Sequence, residues 1–280
     1  MRKILPALKF RAVKKHTFDI IHYHGDDYLS RGSCNRVRTF YGSSFYEAIF
    51  AAKIPRFFYH ALFYLLELIS CTRKGCKVGI SKMTCRVLPG VMPVISCGVP
   101  LNKYCPGTKK TAIPTLLFIG DMWSRKRGRD VIGAFNSIRE DIFPEAMLTV
   151  VGPEQITGEN IICKIGLSEE ELIEEYRKSW VYCMTSSYEG FGVPMVEAMA
   201  CGTAVVARNI AGAREIVAHN YNGLLYHKDS FRDILVRVLS DQHLRTRLVR
   251  NGLKTAAKYD IQQTAQEYLQ LYESIRLETA

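Results

Sequence analysis

The sequence has nine cysteines in 280 residues but no Cys-x-x-Cys pair. Their scatter excludes a zinc ribbon and a secreted disulfide framework, and it fits a reducing compartment. A nucleic-acid motif is absent, as is the interleaving of basic and aromatic residues that single-stranded binding needs. No secretory signal is visible: the first residues alternate basic and apolar without a long apolar core. The most lipid-like stretch, Arg56 to Ser70, is shorter than the ~20 residues of a spanning helix and contains Glu67. It is read as a core-packing helix of a first domain, with membrane contact as the alternative.

What the chain does have is an ordinary globular composition, 48% apolar and 23% charged, and a formal charge of +11. That charge calls for an anionic partner. Nucleic acid lacks a motif to support it, so an anionic membrane surface is the better candidate. Basic residues interleave with apolar ones from Met1 to Lys15, in a segment read as a helix. Cys183 and Cys201 sit in apolar runs and read as small core residues. His22 and His24 alternate along a strand and share one face; without a third ligand nearby they read as structural rather than metal-binding. Asp26 and Asp27 fit either a cap or an acceptor contact. Ile261 to Leu277 reads as an amphipathic helix through Tyr268, Leu269, Leu271, Tyr272 and Ile275.

The most informative stretch runs from Ser186 to Gly202. Two carboxylates, Glu189 and Glu197, stand eight positions apart. Between them Gly190 and Gly192 let backbone approach a ligand closely. Pro194 suits the first helical position, which would leave the N–H groups of Met195 and Val196 unpaired at a helix start, a ready anion site. Gly202 fits the residue after a C-cap. Glu197, one turn into that helix, can accept hydrogen bonds from two vicinal hydroxyls, and Glu189 on the loop can face a sugar. Ala204 to Ala207 reads as a buried parallel strand. The motif therefore falls at the carboxyl edge of a sheet, where α/β folds bind ligands. A glycosidase would also carry two carboxylates, but gives no reason for the glycine loop and helix start between them.

This string resembles the E-x7-E signature of the family 4 retaining glycosyltransferases with the GT-B fold. Other segments resemble the family in order: Thr115–Gly120 followed by Trp123–Gly128, Leu148–Pro153, Ile165–Ser168, Ala211–Val217 and Asn222–Leu225. Less closely, Phe18–Gly25 and Ile95–Leu101 resemble parts of its N-terminal domain and connection. The resemblance implies an α/β fold of two Rossmann-like domains, at 1–110 and 111–258, with a C-terminal helix at 259–280 crossing back to the first. It implies transfer of a sugar from a UDP- or GDP-sugar to a glycan or lipid-linked glycan, without a metal or other cofactor, in the cytoplasm or at the inner face of a membrane. Lys126, with Arg125, would neutralise the diphosphate. Glu189 and the backbone of Gly190, Phe191 and Gly192 would hold the sugar, and Met195 and Val196 would lie at the helix start. Glu197 would hold the ribose. Ile165 and Gly166 would meet the base. His24 and Tyr41 would lie on the acceptor side.

Two residues depart from the family pattern. Tyr41 stands where the family usually has histidine, and a tyrosine of ordinary pKa ~10 is a poor base at neutral pH. Asp121 stands where many members have arginine, and would repel a diphosphate unless Arg125 or Arg127 offsets it. A second reading follows, a sugar-nucleotide-binding scaffold without turnover. Six strand-like runs follow Pro114, near 115–119, 147–151, 161–165, 181–184, 204–207 and 223–226. Only four precede it, near 18–23, 37–41, 77–80 and 93–96, and no glycine-rich first loop precedes those. The expectation is a complete C-terminal domain and an N-terminal domain lacking its opening part.

Overall fold

The computed structural model describes residues 18–25, 35–51 and 54–279. The helix read at Met1 to Lys15 and the pair Asp26-Asp27 lie outside the described residues. The chain divides into two compact units, one of residues 1–97 with 262–280 and the other of residues 98–261.

In the first unit, β1 (Ile21–Tyr23), β2 (Arg36–Phe40) and β3 (Cys76–Gly79) form a parallel sheet in that order. β2 is buried along its whole length. Arg36, within it, donates to Ser70 Oγ at 3.1 Å. The run 93–96 is not a strand. It meets Gly79 through a single bridge at Val94, because Pro93 has no N–H to continue a ladder. Helix α1 (Ser44–Ile49) starts at the N-cap Ser43. Its first turn is also held by Glu67 of α2 (Ile54–Cys71), which accepts from Ser44 N and from both serine hydroxyls. The core-packing reading of 56–70 describes one face of α2: Phe63, Glu67 and Cys71 are buried, while Phe58, Leu62 and Leu65 are exposed. After β3 comes α3 (Lys82–Val87). The C-terminal helix Ile261–Thr279 adds Ile275, Leu271 and Tyr268 to a core with Val37, Val78 and Ile95. Leu269 is 57% exposed, since it lies about 100° around the helix from Tyr268.

The second unit is a six-stranded parallel sheet of β4 (Thr115–Ile119), β5 (Met147–Val151), β6 (Ile161–Lys164), β7 (Val181–Met184), β8 (Ala204–Arg208) and β9 (Leu224–Tyr226). Its order is β6-β5-β4-β7-β8-β9. The central strands are near-continuous apolar runs because helices cover both faces. α4 (Gly128–Asp141), α8 (Phe231–Ser240) and α9 (Gln242–Ala256) supply Val131, Phe135, Leu235 and Leu248 to one large core. α5 (Glu169–Lys178) begins with a capping box between Ser168 and Glu171, as the acidic start of that segment favours. α6 (Val193–Ala200) and α7 (Ala211–Ile216) complete the unit, and the C-terminal helix is α10. From β4 the chain winds outward through β5 and β6, then returns to the other side of β4 for β7, β8 and β9. The reversal between β4 and β7 opens a crevice at their carboxyl ends.

Candidate functional site

The loops that follow β4 and β7 meet at that crevice. They are stitched together by Ser187 N donating to Arg125 O at 2.8 Å and by Thr185 Oγ1 donating to Lys126 O at 2.7 Å. This framework brings Arg125 and Lys126 onto Glu189, sixty-three residues later in the chain. Glu189 Oε1 lies 2.7 Å from Lys126 Nζ, 3.0 Å from Arg125 Nη1 and 2.6 Å from Ser186 Oγ. Arg125 also donates to Tyr188 O at 2.7 Å. Glu189 is only 6% exposed. Burial alone would raise its pKa, but the charges of Lys126 and Arg125 and the two hydrogen bonds outweigh it, and the carboxyl is held below its ordinary value.

Glu197 is set differently. It sits in α6 and accepts from Tyr176 Oη at 2.8 Å; Tyr104 also hydrogen-bonds to it. Desolvation by burial pushes its pKa up, against those two hydroxyls. The two carboxylates are therefore shifted in opposite directions, one by paired cations and the other by burial.

The local backbone explains the spacing between them. Gly192 is the N-cap of α6 with φ 101°, a left-handed conformation that a side chain would strain. The helix starts one residue earlier than the proline implied, so Pro194 is its second residue. Met195 N–H is not unpaired: it donates to Gly192 O at 2.9 Å, because the first turn tightens on the N-cap carbonyl. Both Met195 and Val196 have fully buried side chains. Phe191 is buried edge-to-face on Tyr259, at 5.3 Å between ring centres. Gly202 closes the helix with φ 70°. Gly212, at the start of α7, lets that helix approach the loop; a Cβ there would lie 2.4 Å from Glu189 O.

Asp121 lies on the loop that follows β4. It organises its own loop, accepting from Ser124 N, Ser124 Oγ and Trp123 N, while Arg127 pairs with Asp130. Its burial is outweighed by these donors, which hold the Asp121 carboxyl below its ordinary pKa, so it keeps its negative charge. Ile165 and Gly166 stand at the end of β6, two strands from β4, with Gly166 at φ 69°.

Sequence reasoning did not single out Tyr176, Tyr104 or Ser186. The first two approach Glu197 only once α5 and the segment before β4 are folded. The Ser186-x-x-Glu189 spacing was the one available signal for the third.

In the first unit His24 and Tyr41 are joined, His24 Nδ1 to Tyr41 Oη at 2.7 Å. His22 has both ring nitrogens engaged, by Tyr272 Oη at 2.5 Å and Thr39 Oγ1 at 2.8 Å, and its ring lies 3.9 Å from that of His24. Burial, followed by the charges of His24 and Arg38, lowers the His22 pKa to about 4.

Residues 107–255, more than half of the chain, match the family model described as glycosyl transferases group 1. The chain belongs to this family. A D-inositol 3-phosphate glycosyltransferase of Corynebacterium urealyticum is 28% identical over 216 residues, which cover 65% of this chain and 51% of that protein. The chain thus spans about half the length of that relative. Among solved structures, sucrose-phosphate synthase from Thermosynechococcus elongatus superposes with a TM-score of 0.80 at 21% identity, over 98% of this chain and 77% of that one. An Anabaena protein in complex with UDP and glucose gives 0.78 at 16% identity, over 96% and 81%. At these identities the structures show the fold alone, which is the α/β GT-B type built from Rossmann-like sheets.

Proposed function

We propose that this chain is a family 4 retaining glycosyltransferase, moving a sugar from a UDP- or GDP-sugar to a glycan or lipid-linked glycan. The observation that carries the reading is the pairing of Lys126 and Arg125 with the buried Glu189 at the β4–β7 switch point. Two cations satisfied by one carboxylate leave room for exchange. A diphosphate offers more charge and more acceptor oxygens, so it competes for both cations. The diphosphate then takes Lys126 and Arg125, and no metal ion is needed to neutralise it. Glu189, released, holds the sugar together with the backbone of Gly190, Phe191 and Gly192. Glu197, steadied by Tyr176, takes the ribose hydroxyls, and Ile165 and Gly166 meet the base. Support for a UDP donor comes from the Anabaena neighbour, which holds UDP and glucose.

Calorimetry with UDP and GDP tests the site. One of the two binds, and Lys126→Ala and Glu197→Ala each weaken binding at least tenfold. Tight binding untouched by either change would sink the assignment. A transfer assay read by NMR then shows retained anomeric configuration and loss of turnover in Glu189→Ala.

The contact of Tyr41 with His24 favours a second reading, donor binding without turnover. Nucleotide binding with no transfer, and transfer gained in Tyr41→His, would support it. As the partner surface we propose an anionic membrane, met by the exposed Phe58, Leu62 and Leu65 of α2. No helix among the described residues is long and apolar enough to cross a membrane, so such contact would be peripheral. Sedimentation with phosphatidylglycerol vesicles tests it.

A further inference from the structure

The second unit has a cavity of about 470 Å³ that the proposed chemistry does not use. Its place in the fold separates it from the donor crevice. Lys110 precedes β4, Trp180 immediately precedes β7 and Gly202 precedes β8, so the cavity lies at the amino edge of the parallel sheet. The crevice of Lys126 and Glu189 lies at the carboxyl edge. β4 alone, with five residues at about 3.3 Å each, separates the two edges by roughly 16 Å.

One wall is a face of α9, through Arg245, Val249, Arg250 and Leu253. From Gln242 to Leu253 that face runs about 16 Å at the ~1.5 Å rise of a helix. The lining is apolar through Trp180, Val249 and Leu253, yet its charged groups are all cations: Lys110, Arg245 and Arg250. No carboxylate among the described residues lines it. Two of the cations are fixed in place. The Lys110 ammonium donates to Ser179 O at 2.7 Å and Thr203 Oγ1 at 2.8 Å. Arg245 lies 4.2 Å over the Trp180 ring and donates to Val238 O and Leu239 O. The third, Arg250, is exposed at the rim and has no hydrogen bond or ion pair among the described residues. A cavity of this size is within the range of small-ligand sites. Apolar walls whose charged lining groups are cations suit a ligand that has an apolar body and an anionic end.

We propose that this cavity binds a single-chain alkyl phosphate, taken up as a monomer, with its chain against Trp180, Val249 and Leu253 and its phosphate at Arg250 and Arg245. The site is distinct from the donor crevice and does not rest on the proposed transfer reaction.

Trp180 is a built-in reporter, because the chain has only two tryptophans. In a Trp123→Phe background, titration with decyl phosphate below its micelle concentration changes Trp180 fluorescence saturably. Decanol and inorganic phosphate each bind at least tenfold more weakly. Arg250→Glu, at an exposed position, lowers decyl phosphate affinity at least fivefold with an unchanged melting temperature. Lys126→Ala leaves that affinity unchanged. The proposal is overturned if decyl phosphate gives no saturable change, if decanol binds equally well, or if only phosphatidic acid vesicles alter the fluorescence. It is also overturned if binding survives Arg250→Glu but falls in Lys126→Ala, which would put the anion on the other edge of the sheet.

Discussion

The Tyr176 hydroxyl donates to Glu197 at 2.8 Å, and Tyr176 is itself fully buried. Its removal leaves a half-buried carboxylate with Tyr104 as its remaining hydroxyl partner. Tyr176→Phe should therefore cost about 1–3 kcal/mol of stability, the usual penalty for a buried polar group losing its partner. It should also weaken nucleotide binding several-fold, because the carboxylate becomes harder to keep ionised. Thermal melts and UDP calorimetry on the same variant check both effects. That partnership was not legible in the sequence. Glu189 and Glu197 stood out because of the glycines between them. Tyr176 lies on another helix, and nothing about one tyrosine in an acidic segment marks it as a carboxylate's partner. The Lys126–Glu189 pair was hidden for a similar reason: both residues were singled out, but their contact depends on β4 and β7 being neighbours.

Elements of the second unit were much easier to read. All six of its strands fall within a residue or two of apolar runs, and the central ones, covered on both faces, have no alternation to obscure them. The run at 93–96 misled because its apolar residues surround a proline, and a ladder needs the N–H that proline lacks. The approach of α7 to the Glu189 loop was also invisible, although it makes Gly212 hard to replace. Gly212→Ala puts a Cβ 2.4 Å from Glu189 O, so the loop has to shift. Nucleotide affinity should fall more than tenfold while the melting temperature drops by only a few degrees. Calorimetry beside a thermal melt distinguishes this from general unfolding. In the first unit, β1, β2 and α10 share the network of His22, Thr39, Tyr268 and Tyr272. The His22 pKa is lowered from 6.5 to about 4, so between those values the unfolded chain binds the proton and the folded one does not. Stability therefore rises with pH across that window and falls as pH drops through it. Melting at pH 5 and pH 7 should show this difference, and His22→Asn should reduce it.

At the scale of the whole molecule, residues 98–261 form a unit with their own large core. That fragment should fold alone, melt cooperatively and bind the nucleotide within about threefold of the full chain, which calorimetry on the fragment checks. The ion pair of Lys126 and Arg125 with Glu189 has a further consequence for the order of events. A carboxylate already occupied by two cations offers little to a free sugar. Only a ligand that draws those cations away with its own negative charge sets the carboxylate free. Under the proposed function the crevice would then work as a coincidence detector, admitting a sugar when a diphosphate arrives with it. Free glucose should bind immeasurably weakly alone and measurably in the presence of UDP, and titrations with and without the nucleotide decide the point.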